Sequence, residues 1–197
     1  MRPWLKAGLS AGAAFSVVAI AFVGVSLFAD ISRPTWVALD NLKGVIGFAF
    51  CGLAGFQAAR HTQHAGSGAA AGALGGAIAG VTVPVSMYVL AYGFLNHVRQ
   101  YPFEYYDYLN SGASSVQAYL ISAKGHADVL STSVGLVPVV VVFAAVLGAA
   151  VGFLGGTLGR RFSGASPATT QPNSPPQPTS GPDRFSRTRR IASAARS

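Results

Sequence analysis

This sequence predicts an all-α fold, a bundle of four transmembrane helices, and three observations carry the prediction. Hydrophobic residues make up 51% of the 197 and charged residues only 10%, with a mean hydropathy of +0.44, which is too apolar for a soluble domain of this size. Four stretches carry no charged side chain, at 7–29, 44–59, 66–98 and 129–159. A span needs about 20 apolar residues to cross about 30 Å of hydrocarbon. Within the third stretch, Gly68, Gly72, Gly76 and Gly80 recur at every fourth position, a ridge without side chains along which a second backbone can come close. In water such a run costs about 1 kcal/mol per glycine against alanine, so it suits a helix where lipid forbids unpaired backbone groups.

Taken in order, Arg2 and Lys6 precede the first apolar run, which is longer than the roughly 7 to 15 residues of a signal-peptide core. Leu27 stands where cleavage after Ala29 would want a small residue, so a retained first helix over 7–29 is expected. A connector over 30–41 follows, with Pro34 and with Trp36 as an interfacial anchor. The second span is expected over 42–59. It carries Gly47, Cys51, Gly55 and Ala59 at four-residue spacing, and a snorkelling Lys43 at its start. The brief basic turn of Arg60, His61 and His64 makes the second and third helices antiparallel neighbours. The third span is placed at 66–95, with a bend at Pro84 and with Thr82 and Ser86 near enough to take freed carbonyls.

The segment 96–133 is read as an external loop rich in tyrosine: Tyr101, Tyr105, Tyr106, Tyr108 and Tyr119 stand with Phe103 among Glu104, Asp107, Lys124 and Asp128. Such density marks a segment at a membrane surface or a binding surface. Val116, Tyr119, Leu120 and Ala123 have helical spacing, which predicts a short interfacial helix. The fourth span is expected over 134–158, with Ala144, Gly148, Gly152 and Gly156 as a ridge that could face the third helix, whose Gly68, Gly72 and Gly76 are expected to pack against it or against a second copy of the third helix. The membrane domain thus covers 1–161. Residues 162–197, rich in Pro, Ser and Arg, form a disordered cytoplasmic tail.

The net charge of +8 would suggest nucleic acid if read alone, but its distribution points to membrane topology. With four spans both termini share a side, and that side holds ten of the fourteen basic residues with only Asp183 opposing them. The other side carries Arg33, Lys43, Arg99 and Lys124 against five carboxylates. Both termini are therefore expected to be cytoplasmic. In the tail, Arg184, Arg187, Arg189 and Arg190 are expected to touch the lipid surface, each worth about 1 kcal/mol at an anionic leaflet.

No residue pattern names a reaction. His61 and His64 could share a metal by spacing, but no acidic or thiol ligand accompanies them and Arg60 disfavours a cation, so neither a metal nor another cofactor is expected. The glycines of the third span lack the Lys-Ser/Thr of a phosphate loop. No nucleophile elbow, paired-carboxylate site or cysteine cluster is present, and the lone Cys51 has no partner thiol. The expectation is a non-enzymatic structural or accessory membrane protein. It would bind other membrane proteins or itself through its glycine ridges, Gly47, Gly55, Gly68, Gly72, Gly76, Gly80, Gly148, Gly152 and Gly156, and through the tyrosine-rich loop. Its partners would be lipids and proteins, not nucleic acid. The alternative is a small channel or carrier for a neutral solute; apart from Lys43 at one edge the predicted spans carry no charge, which weighs against a transporter and favours the accessory reading, while a neutral-solute pore stays open.

The passage Leu53-Ala-Gly-Phe-Gln-Ala-Ala-Arg60, followed by Gly68-Ala-Ala-Ala-Gly72-Ala-Leu-Gly-Gly76, resembles a family of small four-helix bacterial integral membrane proteins of unknown function. The ending Gly152-Phe-Leu-Gly-Gly-Thr-Leu-Gly-Arg160 is similar too. The resemblance covers about a quarter of the chain; it implies the four-helix fold and a bacterial inner membrane, and no activity. Gly52-x-x-Gly55-x-x-x-Ala59-Arg60 also aligns with Gly152-x-x-Gly155-x-x-x-Gly159-Arg160. That is what a parallel repeat of two hairpins would require, or simply two glycine-rich helices ending in Arg on one side.

Overall fold

A computed structural model describes residues 1–102 and 104–163. Among them the chain is all helical, without strands. The four lipid-surface arginines expected at 184, 187, 189 and 190, and the expected tail from 164 on, lie outside the described residues, while Phe162 and Ser163, expected in that tail, lie in the last turn of a helix. Four helical stretches are long and apolar enough to cross a membrane, as in a multi-pass membrane protein. They are α1 (Pro3–Phe28), α2 (Arg33–Thr62), α3 (Ala65–Gly93) and a long final stretch. That last stretch comprises α6 (Ala123–Leu130), a π-helical turn (Ser131–Gly135) and α7 (Val137–Ser163). Between α3 and α6 come a 3-10 turn (Leu95–His97), α4 (Tyr105–Asn110) and α5 (Val116–Ile121).

Two boundaries differ from the sequence reading by more than two helical turns, the others by five residues or fewer. The second helix begins at Arg33, not 42, because Ser32 caps it by accepting the Thr35 N–H and Pro34 sits in its first turn, where a missing N–H costs nothing. The expected connector over 30–41 is therefore mostly helix, and Asp40 and Lys43 ride on a spanning helix. The final stretch begins at Ala123, not 134, since Ser122 caps α6 by accepting the Gly125 N–H at 3.0 Å. Its π turn, where the Leu136 N–H reaches back to the Ser131 carbonyl at 3.2 Å, lies just before Pro138, whose ring cannot donate to the preceding turn.

The short links Ala29–Ser32 and Gln63–His64 make successive helices antiparallel, with Gln63 in a left-handed conformation (φ 59°) closing α2. One end of the bundle, the turn end, gathers the N-terminus, the α2–α3 turn and Ser163, whose hydroxyl donates to the Arg60 carbonyl at 3.4 Å. The other, the cap end, gathers the α1–α2 link and the whole connection between α3 and α7. Contacts between α3 and α7 are the most extensive, followed by those of α1 with α3 and of α2 with α7.

Glycines bring α3 against α7 along most of α7, and toward the turn end α2 joins them. A Cβ placed on Gly72 would lie 2.8 Å from the Gly152 Cα, one on Gly68 2.6 Å from the Gly152 carbonyl oxygen, and one on Gly80 2.8 Å from the Val141 Cα. Gly55 meets Gly152 just as closely, its Cβ falling 2.6 Å from that Cα. The α2–α7 crossing is reciprocal: Gly55 faces Gly152 and Gly155 faces Gly52, while Ala59 faces Gly156 and Gly159 faces Phe56. These are the two segments that align in sequence. The reciprocity stops there, because α2 packs along α3 whereas α1 does not pack along α7 to any comparable extent. α1 joins through Gly8 and Gly12 against Leu74 and Ile78, and through a 2.9 Å bond between the Ser16 and Thr82 hydroxyls. Helix α3 continues through the buried Pro84, with the Thr82 hydroxyl on the Ile78 carbonyl at 2.9 Å.

Candidate functional site

Two regions depart from plain helix packing, and both lie toward the cap end. The first is a cleft. From Gly52 and Val151 onward to the turn end, α2 and α7 touch; on the other side of that point they line a cavity of about 390 Å³ instead. Its floor is Gly12 and Phe15 of α1 with Gly75, Gly76 and Ala79 of α3. Its walls are Gly44, Gly47 and Cys51 of α2 and Val140, Ala144 and Gly148 of α7. Phe48 and Phe143 stand partly exposed, at 44% and 64%, where the two walls part.

Among the described residues, the only charged groups on this cavity are Asp40 and Lys43. They form an ion pair at 2.5 Å, with the lysine side chain 18% exposed. Spaced i, i+3 on one helix face, they neutralise one another, and a smaller pocket on their far side is lined by Trp36, Phe22 and Met87. Paired in this way, the two charges can be carried toward one end of a spanning helix, where the long lysine stem can reach an interface. The sequence did hold the signal, in Ser32-Arg-Pro-Thr35 as a helix start and in the Asp-x-x-Lys spacing. The polar look of 30–41 hid it.

The second region is the connection, which folds into a cap. Val98, Tyr101, Val116, Tyr119, Leu120 and Val129 are buried with Val23 and Leu27 of α1 and Met87 and Ala91 of α3. The helix expected around Val116, Tyr119 and Leu120 exists as α5, but those side chains point into this core and not to a lipid surface. Backbone bonds fasten the cap: the Arg99 N–H donates to the Leu27 carbonyl at 2.8 Å, closing the end of α1. The Gln117 amide donates to the Val98 carbonyl at 2.5 Å and the Tyr92 hydroxyl to the Leu120 carbonyl at 3.1 Å. The Arg33 guanidinium lies 4.3 Å from the Tyr106 ring centre and 5.2 Å from that of Tyr105, joining the start of α2 to α4.

Inside the cap the polar groups form a network. The Tyr101 hydroxyl bonds the Ser133 hydroxyl at 2.8 Å, and the Tyr119 hydroxyl donates to Asp128 at 2.9 Å. Glu104 is only 5% exposed, and its carboxyl meets the Thr132 hydroxyl. That hydroxyl also lies 2.7 Å from the Asp128 carbonyl. A hydroxyl has one proton, so when it serves the carbonyl the carboxyl must supply its own. Burial raises the Glu104 pKa, partly offset by the Thr132 hydrogen bond, while neighbouring Asp107 and Asp128 push it further up. Burial likewise pushes Tyr101 up to about 12, and burial with the Asp128 hydrogen bond raises Tyr119. Among the described residues no buried side-chain nitrogen or oxygen lacks a partner.

Of the residues singled out from sequence, Gly55, Gly68, Gly72, Gly76, Gly80, Gly148, Gly152 and Gly156 come together where α3 meets α7 and α2. Gly47 does not: it lines the cleft and faces the Phe15 ring. His61 and His64 are exposed at the turn end, and among the described residues no three metal-ligating side chains converge. No protein-family model, curated protein or solved structure matches the chain.

Proposed function

We propose that this chain is a non-enzymatic accessory protein of a bacterial inner membrane, with both termini cytoplasmic, that meets another membrane protein or a second copy of itself through the cap. The observation that carries the reading is the exposed apolar surface of the cap helices. Tyr106, Leu109, Ile121 and Leu130 are 61%, 56%, 66% and 42% exposed beside Asp107 and Lys124, a mix of aromatic, aliphatic and charged groups suited to a protein partner. The glycine ridges lie inside the bundle against one another. They therefore serve a glycine zipper within the chain, and the partner role expected of them passes to the tyrosine-rich connection. The basic excess at the turn end supports cytoplasmic termini.

The test is purification of the tagged full chain from its native cell in mild detergent. A defined membrane complex should accompany it and be lost on the double substitution Tyr106→Ser, Leu109→Ser. If the protein emerges alone and makes liposomes permeable to a specific neutral solute, the pore alternative replaces this reading. Reporter fusions after residues 64 and 115 should give cytoplasmic and external signals; the reverse pattern would overturn the orientation.

A further inference from the structure

We propose that the cleft between α2 and α7 is a binding site for one acyl chain of a phospholipid, taken from the leaflet on the cap side. The site rests on the four-span reading and is independent of any protein partner at the cap.

Three observations lead to that occupant. The first is length. From Asp40 to Cys51 the slot follows eleven helical steps, about 16 Å at 1.5 Å each, close to half of a hydrocarbon core of about 30 Å. It therefore reaches from one interface to about the bilayer midplane and stops where Gly52 and Gly155 bring α2 and α7 together. A slot open to both leaflets, or one crossing the whole membrane, would not end there.

The second is polarity. Beyond Asp40 and Lys43 every side chain on the slot is apolar or absent, the soft Cys51 thiol lying at its inner end. A hydrated solute would find no hydrogen-bonding partner along it, whereas a hydrocarbon chain needs none. Lys43 lies at the polar end, where the phosphate of such a lipid would stand, and its long stem can carry the ammonium outward to meet it. Asp40 then keeps the pair neutral when no phosphate is near.

The third is access. The mouth lies between two spanning helices at a depth where the solvent is lipid, flanked by the exposed rings of Phe48 and Phe143. A dry void of this size inside the bundle would forfeit dispersion contacts along its whole lining, and an acyl chain restores them without a polar cost.

The full chain, reconstituted in vesicles of phosphatidylethanolamine and phosphatidylglycerol, can be irradiated with a trace of phospholipid carrying a diazirine at the end of one acyl chain. Adducts should map to Gly12 and Ala79 on the floor, which outward-facing lipid does not reach, and should saturate at one lipid per chain. Gly44 lines the slot, and a Cβ added there meets nothing within 4 Å. Gly44→Leu should therefore fold and melt as the parent does while floor adducts fall at least fivefold, those on Val139 staying unchanged. Floor adducts no more frequent than background, or unchanged in the folded Gly44→Leu protein, would overturn the proposal. So would cross-links at the mouth to a second copy of the chain, which would identify a helix as the occupant. Should Gly44→Leu misfold, the stoichiometry of lipid retained by the parent in native mass spectrometry decides: one tightly held phospholipid supports the site, none refutes it.

Discussion

The turn-end half of the bundle and its cap-end half pack the same helices by opposite means. At the turn end, the buried cluster of α1, α2 and α3 is made of Ala7, Ala54, Ala58 and Ala71, and α7 joins through glycine backbones at Gly68, Gly72, Gly148 and Gly152. Toward the cap end α3 and α7 stay close through Gly76 and Gly80, but α2 and α7 stand apart, and the space is taken by large side chains such as Tyr101, Tyr119, Leu27 and Leu120, or left as the cleft. Lipid explains the difference: where no hydrophobic force draws helices together, close backbone approach supplies dispersion contacts. The cap, formed mainly by the connection between α3 and α7, is built like a soluble core, with hydrogen-bonded tyrosines and capped short helices.

The largest effect that would break this contrast is expected at Gly72. In Gly72→Leu the new side chain would run into backbone, which cannot rotate away, so the loss should reach or exceed the upper end of the roughly 1–3 kcal/mol typical of overpacking. Thermal unfolding in mild detergent should show it plainly. Gly44→Leu, in the other half, should stay within about 0.5 kcal/mol of the parent. Equal melting of the two variants would erase the distinction.

An intermediate effect belongs to the cap. Ser133→Ala leaves the buried Tyr101 hydroxyl without its partner, a cost of about 1–3 kcal/mol. Hydrogen exchange should quicken over residues 98–133 and stay unchanged around Gly72.

The smallest effect concerns pH. Glu104 has its pKa raised above the ordinary 4.5, so the folded cap holds its proton more tightly than the unfolded chain does. The stability this lends is full below about 4.5 and is lost as pH rises through the raised folded pKa. Exchange at residues 104–110, corrected for its intrinsic pH dependence, should quicken across that window. Glu104→Gln, which keeps a neutral group there, should flatten the dependence.

Much of the bundle was legible in the sequence because lipid imposes a simple code. Uncharged length gives a span, and four-residue glycine spacing gives a ridge; Gly68, Gly72 and Gly76 needed nothing more to be found. The helix start at Arg33 was missed because hydropathy outweighed the cap signal of Ser32 and Pro34, and with it went the Asp40–Lys43 pair. The cap was harder still. Tyr101 and Tyr119 look like an aromatic belt in one dimension, and only the long-range partners Ser133 and Val98, with Leu27 on α1, make them a core. The cleft has no sequence signature at all: Gly47 reads as a packing glycine and Gly44 only as the start of a span, and it is the divergence of α2 from α7 that leaves Gly44 beside open space and Gly47 against the Phe15 ring.

That divergence is the central claim, and spin-label distances test it directly. In a Cys51→Ala background reconstituted in nanodiscs, nitroxide pairs at residues 53 and 154 and at residues 45 and 142 sample α2 and α7 on either side of the Gly52–Gly155 crossing. The account predicts a short, narrow distance distribution for the first pair and a longer one for the second. Equal separations in both pairs would mean that α2 and α7 run together along their whole length, and would contradict it.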